Sequence, residues 1–241
     1  MACLLAIVGV GGVTAQYVLG RNTRIYEVPV GGQEVVALSD GSKMTLNTGA
    51  RVAVRYTAGT RRIDLQRGEA FFDVASNVER PFIVSSESHQ VRALGTAFSV
   101  SRTETDLAVT LVHGRVGISP IAWTGAAAKA VYLAPGQAWD RRTNRVRALT
   151  QQQIAASLAW RDRELVFDGA PLAEAVADVN RYSSLRITID DQAVARLRVS
   201  GVFRSGESEA FARTVGAIYG LAVTRDGGAI HLSSSVENPS P

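Results

Sequence analysis

Apolar residues recur at every second position through much of the first half of the chain. Ala70, Phe72 and Val74 share one side of an extended run, and Phe98 and Val100 share one side of another. That period predicts strands packed on one face and wet on the other, with Phe72 and Phe98 in the core. From Val28 to about Trp139 the runs are broken by Asp40-Gly41, Ala58-Gly59, Ser76-Asn77 and His113-Gly114, a spacing that suits an all-β domain. One local word recurs at Leu65, Leu111 and Leu133: an apolar strand end, then a glycine (Gly68, Gly114, Gly136), then a new strand. Such corners suit a sandwich or a short solenoid of stacked coils, and ordinary hairpin turns account for them equally well. Residues 122–130 are small and apolar and read as a loop or bulge.

The period changes after Trp139. Arg141, Arg142, Arg145 and Arg147 read as exposed, and residues 146–160 read as a helical linker. Beyond it Leu165-Val166-Phe167 is a short strand, and Pro171 opens a helix where its missing N–H costs nothing. Leu172, Ala175, Val176 and Val179 then form one apolar stripe. Ile187–Ile189 and Leu197–Phe203 read as strands. A second helix runs from near Glu207 to Tyr219, burying Phe211, Val215 and Ile218 and ending on Gly220, placed for a left-handed cap. Leu221–Val223 and Ile230–Leu232 flank the turn Asp226-Gly227-Gly228. Residues 161–235 therefore read as a βαβ–βαβ domain, and residues 236–241 as a polar tail.

Residues 1–20 are apolar and uncharged, about long enough as a helix to cross a bilayer core. A transmembrane helix and a signal peptide cleaved near Val13-Thr14-Ala15 are the two readings. The lack of a basic leader counts against the signal peptide, and Arg21 and Arg24 count against an outward-facing carboxyl end. Cys3 is the single cysteine, which excludes an internal disulfide framework, and too few residues precede it for a lipobox.

The formal net charge of +4 is carried mostly by arginine, with Lys43 and Lys129 as the lysines. Basic residues are interleaved with acids, which gives solvated strand faces and no nucleic-acid footprint. His89, His113 and His231 lack ligand spacing, and no hydrolase elbow, phosphate loop or zinc-protease motif is present. Glu69 and Asp73, four apart on a strand, are candidate acid–base partners, though ion pairing with Arg67 or Arg80 is the better expectation. Asn180-Arg181-Tyr182 reads as a helix end, with a docking face as the alternative.

Asp40-Gly41-Ser42, Arg67-Gly68-Glu69-Ala70-Phe71-Phe72-Asp73-Val74, Arg80-Pro81-Phe82 and Leu94-Gly95-Thr96-Ala97-Phe98-Ser99-Val100, in this order, resemble the periplasmic domain of the FecR family, membrane-bound regulators of iron-uptake sigma factors. The words Leu165-Val166-Phe167-Asp168, Pro171-Leu172, Asn180-Arg181-Tyr182 and Val199-Ser200-Gly201-Val202-Phe203 resemble the secretin/TonB short N-terminal fold that ends many such regulators. The resemblance implies a mainly β chain: one hydrophobic helix (1–20), an all-β FecR-like domain (21–145), the linker (146–160) and the small α/β domain (161–235). It implies a single span in the inner membrane with the bulk in the periplasm. It also implies relay from the signalling domain of an outer-membrane TonB-dependent transducer to an extracytoplasmic-function sigma factor, held by a cytoplasmic domain upstream that nothing in this chain matches. No enzyme activity on a substrate, cofactor or nucleic-acid partner is implied. A secreted module binding envelope polysaccharide or an envelope protein is the second reading.

The resemblance also singles out Gly95-Thr96, a pair at which some family members cleave themselves. A threonine hydroxyl can attack the preceding carbonyl, moving the acyl group from nitrogen to oxygen, and water then cleaves the ester. Glycine before it tolerates unusual dihedrals. The plain alternative is a bulge at Gly95 followed by an ordinary strand residue.

Overall fold

The structure, a computed structural model, describes residues 17–18, 23–121 and 130–235. The chain divides into two compact units, residues 1–155 and residues 156–241. The expected helix over residues 1–20, with Cys3, lies outside the described residues except at Tyr17–Val18, where the backbone is strand and pairs with Ile25 and Arg24. The loop expected over residues 122–130 and the tail at 236–241 also fall outside them, apart from Ala130. Among the described residues no helix is long and apolar enough to cross a membrane.

The first unit is built on one long strand, Arg61–Asp73. Its first half pairs with Arg51–Tyr56 and, in parallel, with Phe82–Ser85. Its second half pairs with Lys43–Leu46 and Ala97–Arg102. Two curved sheets therefore share this strand. On one side of the first sheet the order runs outward through Phe82–Ser85, His89–Ala93, Val116–Pro120 and Val131–Leu133; on the other it runs through Arg51–Tyr56 to Thr23–Glu27. In the second, Lys43–Leu46 leads to Glu34–Ala37, while Ala97–Arg102 leads through Leu107–His113 and Gln137–Asp140 to Arg145–Ala148. The two sheets enclose one core, to which Phe72, Phe82, Phe98, Leu65, Leu111 and Trp139 contribute. The strands thus join into one large, nearly closed sheet, mainly β as expected but neither a pair of separate sandwich sheets nor a stack of solenoid coils. Apart from the pair 61–64 with 82–85 its ladders are antiparallel, where stacked solenoid coils would pair in parallel.

The recurring leucine–glycine word has a structural meaning. Gly68, Gly114 and Gly136 all have φ between +80° and +85°, a region open to glycine at little cost. Each stands where the chain passes from one sheet to the other: within the long strand at Gly68, after Leu107–His113 at Gly114, and before Gln137–Asp140 at Gly136. Leu65, Leu111 and Leu133 are buried beside these corners. A Cβ on Gly68 would lie 2.6 Å from the Ala50 Cα, so this corner also needs glycine for close approach.

The segment 146–160, expected to be a helical linker, begins as strand, Arg145–Ala148 pairing with Gln137–Asp140, and is helical from Gln151 to Leu158. Alternation of arginine with Val146 and Ala148 is the strand signal that helix propensity obscured.

The second unit follows the βαβ–βαβ order with one added helical turn, Gln192–Ala195, and a closing fifth strand, Ala229–Ser234. Glu164–Pro171 pairs with Arg198–Arg204; Arg186–Ile189, Ala229–Ser234 and Leu221–Asp226 form a three-stranded sheet. Helix Leu172–Asn180 buries Leu172, Ala175, Val176 and Val179, the expected stripe. Helix Ser208–Tyr219 ends on Gly220 at φ 63°, the expected left-handed cap. Ile218, expected inside, is 63 % exposed. The helix packs instead through Ala212 and Gly216; a Cβ on Gly216 would lie 2.4 Å from the Val223 Cγ2.

Candidate functional site

Two of the words quoted from the first unit, Asp40-Gly41-Ser42 and Arg80-Pro81-Phe82, meet around a residue that sequence reading passed over. Arg61 is fully buried. Its Nη1 donates to the Asp40 Oδ2 at 2.7 Å and to the Ala75 carbonyl at 2.8 Å, its Nε to the Arg80 carbonyl at 2.7 Å, and its Nη2 to the Asn77 carbonyl at 3.4 Å. The guanidinium carbon lies 5.5 Å from the Phe82 ring centroid, within cation–π range. Asp40 is held by its own turn: the Ser42 N–H and hydroxyl donate to it at 3.2 and 2.7 Å, and the Tyr56 hydroxyl donates at 3.1 Å. The Ser42 hydroxyl also accepts from the Ala75 N–H at 3.0 Å. One ion pair thus ties the 40–42 turn, the start of the long strand and the 75–81 loop together.

The electrostatics agree with a paired, ionised carboxylate. Burial alone would raise the pKa of Asp40, but the Arg61 guanidinium and the donors from Ser42 and Tyr56 together hold it below the ordinary carboxylate value. Burial, and then the Asp40 charge beside it, push the Tyr56 phenol up, so it stays a donor. The pair is structural chemistry: each guanidinium nitrogen and both Asp40 carboxylate oxygens are engaged by protein groups.

Phe72, Phe82 and Phe98, one from each of three of the quoted words, form a ring cluster. Their centroids are 5.6 Å apart for Phe72–Phe82 and 5.3 Å for Phe72–Phe98, and all three are fully buried, as expected for Phe72 and Phe98. Glu69 and Asp73 are not brought together as an acid–base pair. Four residues of strand separate them by about 13 Å; Glu69 is buried and Asp73 exposed. Glu69 accepts from the Asn47 amide at 3.0 Å and the Ser99 hydroxyl at 3.2 Å. The arginines expected to pair with it are engaged elsewhere: Arg67 with Glu27 at 2.6 Å, and Arg80 with the Thr57 carbonyl at 2.8 Å.

Gly95 has φ +129° and lies where the chain leaves His89–Ala93 in the first sheet for Ala97–Arg102 in the second. Thr96 is 3 % exposed, its carbonyl accepts from the Val74 N–H at 2.9 Å, and its buried hydroxyl has no hydrogen-bond partner. Gly114 presses on the same peptide: a Cβ there would lie 2.7 Å from the Gly95 carbonyl oxygen and 2.6 Å from the Thr96 Cγ2. A constrained glycine and an unengaged hydroxyl therefore adjoin one peptide bond.

The remaining candidates are dispersed or structural. His89 packs against Trp139 at 5.1 Å, and burial followed by the nearby Arg141 charge lowers its pKa. His113 is exposed, and His231 contacts Thr188 in the second unit. Among the described residues no group of three or more His, Cys, Asp and Glu side chains could hold a metal. The Asn180 side chain pairs with the Ile187 backbone through two bonds of 2.8 Å, and Tyr182 is buried, so this word ends the helix and joins it to the next strand.

Residues 24–117 match the family model described as FecR protein. Two crystal structures of a "putative anti-sigma factor" from Parabacteroides distasonis ATCC 8503 share the fold. Each is 22% identical and covers 88% of this chain and 99% of its own, with TM-scores of 0.70 and 0.71. No curated protein sequence matches the chain.

Proposed function

We propose that this chain, whose residues 24–117 form a FecR domain, is the signal-relay part of a FecR-type transmembrane regulator. It would control an extracytoplasmic-function sigma factor in response to a TonB-dependent outer-membrane transducer. The observation that carries the reading is that family match together with the convergence of its words on the Asp40–Arg61 pair and the phenylalanine cluster. The anti-sigma naming of the Parabacteroides protein, alike in fold, supports it. In this reading the apolar residues ahead of the Tyr17–Val18 strand belong to a segment that crosses the inner membrane, residues 23–235 lie in the periplasm, and a cytoplasmic domain upstream holds the sigma factor.

The second unit is the proposed docking module for the transducer's signalling domain. It has its own core, with Phe167, Phe203 and Phe211 in mutual ring contact. Its two small sheets leave open strand edges that a partner strand can extend. The fragment 156–235 should fold alone, giving a cooperative thermal transition, and should bind a transducer signalling domain as tightly as the two-unit protein does. Calorimetric titration of both against that domain checks this. Affinity that stays with a fragment of the first unit would sink the assignment.

Gly95-Thr96 is proposed as a self-cleavage bond of this regulator, supported by the partnerless Thr96 hydroxyl and the constrained Gly95. Purified protein should divide on incubation into two fragments, the second starting at Thr96. Thr96→Ala should remain whole and Thr96→Ser should still divide. Wild-type protein that stays intact through prolonged incubation would remove the proposal.

A further inference from the structure

The outer face of the first sheet carries a cavity of about 440 Å³, in the size range of small-ligand sites. Its walls are Thr23, Arg55, Arg62, Asp64 and Gln66, and Ser85 lines it beside the apolar Ile25 and Ala53. The strand register sets these groups out in rows. Thr23 faces Arg55, and Arg55 faces Arg62 directly across adjacent strands. In the next row Ile25, Ala53, Asp64 and Ser85 follow one another.

Two features of the cavity are unfavourable without a ligand. Like charges opposite each other on neighbouring strands destabilise a sheet. Among the described residues the Arg55 Nε reaches only the Thr23 hydroxyl, at 3.3 Å, and Arg62 has no hydrogen-bond or ion-pair partner. Ser85 is 7 % exposed, and its hydroxyl is buried with no hydrogen-bond partner, although buried hydroxyls are ordinarily satisfied. An anion between the guanidiniums and a polar group reaching Ser85 would relieve both.

Asp64 decides the chemistry. Its carboxylate accepts hydrogen bonds without donating any, so a simple anion, which brings no donor, would satisfy the arginines and leave Asp64 unmatched. Its present partner is the Gln66 amide at 3.4 Å. The ligand must therefore carry a carboxylate for the arginines and hydroxyl donors for Asp64, and its hydroxyls must also accept from Gln66 and Ser85. We infer that this cavity binds a carboxylate-bearing sugar unit of a polysaccharide, with the guanidiniums on the carboxylate and Asp64, Gln66 and Ser85 on the ring hydroxyls. The inference does not depend on the regulatory role proposed above.

The test is calorimetric titration of the two-unit protein with trigalacturonate, with neutral maltotriose and with a hexaglutamate peptide. Trigalacturonate should bind saturably, more weakly as salt rises, and more tightly than either control. Arg62→Gln, at an exposed position, should weaken binding about tenfold. Ser85→Ala should weaken it about fivefold while leaving the thermal midpoint unchanged or raised, because the hydroxyl it removes has no protein partner. Absence of trigalacturonate binding at millimolar concentration, equal binding of maltotriose, tighter binding of hexaglutamate, or wild-type affinity in both variants would each overturn the inference.

Discussion

Arg61→Met should unfold the first unit or bring it close to unfolding. The substitution leaves the Asp40 carboxylate buried beside no cation and strips hydrogen-bond donors from the carbonyls of Ala75, Asn77 and Arg80. Breaking a buried pair by removing one partner costs about 3–5 kcal/mol, a large share of the roughly 5–15 kcal/mol that stabilises an ordinary domain. In urea the transition of the first unit should move to much lower concentration, while that of the second unit should stay in place. Asp40→Asn should act in the same direction and change the acid response. The carboxyl binds its proton more weakly in the folded unit than in the unfolded chain. Its contribution is therefore complete above the ordinary carboxylate pKa and is lost as pH falls through the still lower folded value. Wild-type stability should drop over that acid window, and the Asp40→Asn variant should show a smaller drop. An unchanged urea midpoint for Arg61→Met would place the pair outside the energetics of the fold.

Phe72→Ala should cost about 3–5 kcal/mol, the usual range for a buried phenylalanine, and Phe98→Ala a similar amount. The Phe72 ring touches both Phe82 and Phe98, so its removal opens a cavity at the centre of the core. Phe72 stands on the shared strand between Met44 and Phe98 of its two paired neighbours, and those ladders limit collapse into that space. Phe72→Leu should recover part of the loss. Denaturation midpoints equal to wild type for both alanine variants would contradict the packing described here.

Much of this fold is legible because it is local. Period-two alternation located the strands around Phe72 and Phe98, and helical spacing located the buried stripe from Leu172 to Val179. Gly220 and the Asp226-Gly227-Gly228 turn marked ends that depend on backbone conformation alone. Ile218 misled because apolar spacing favours large residues, whereas that helix makes its closest approach through Gly216. The meaning of the leucine–glycine words was hidden because a glycine corner between sheets and one within a hairpin look alike over six residues. Arg61 left a trace: it shares the inward period of Ile63 and Leu65. Its partners, however, come from residues 40 and 75–80, brought together by the register of two sheets that no short window contains. The arginine-lined cavity depends in the same way on four strands adjoining on one face.

The regulatory reading is tested most directly by transcript profiling of cells with and without the gene, under conditions that load outer-membrane transducers. Loss of the protein should change one coherent set of transcripts whose promoters are read by a single extracytoplasmic-function sigma factor, and the Arg61→Met variant should behave as the deletion. A transcript profile that is the same with and without the protein, or changes that share no sigma-dependent promoter, would contradict it.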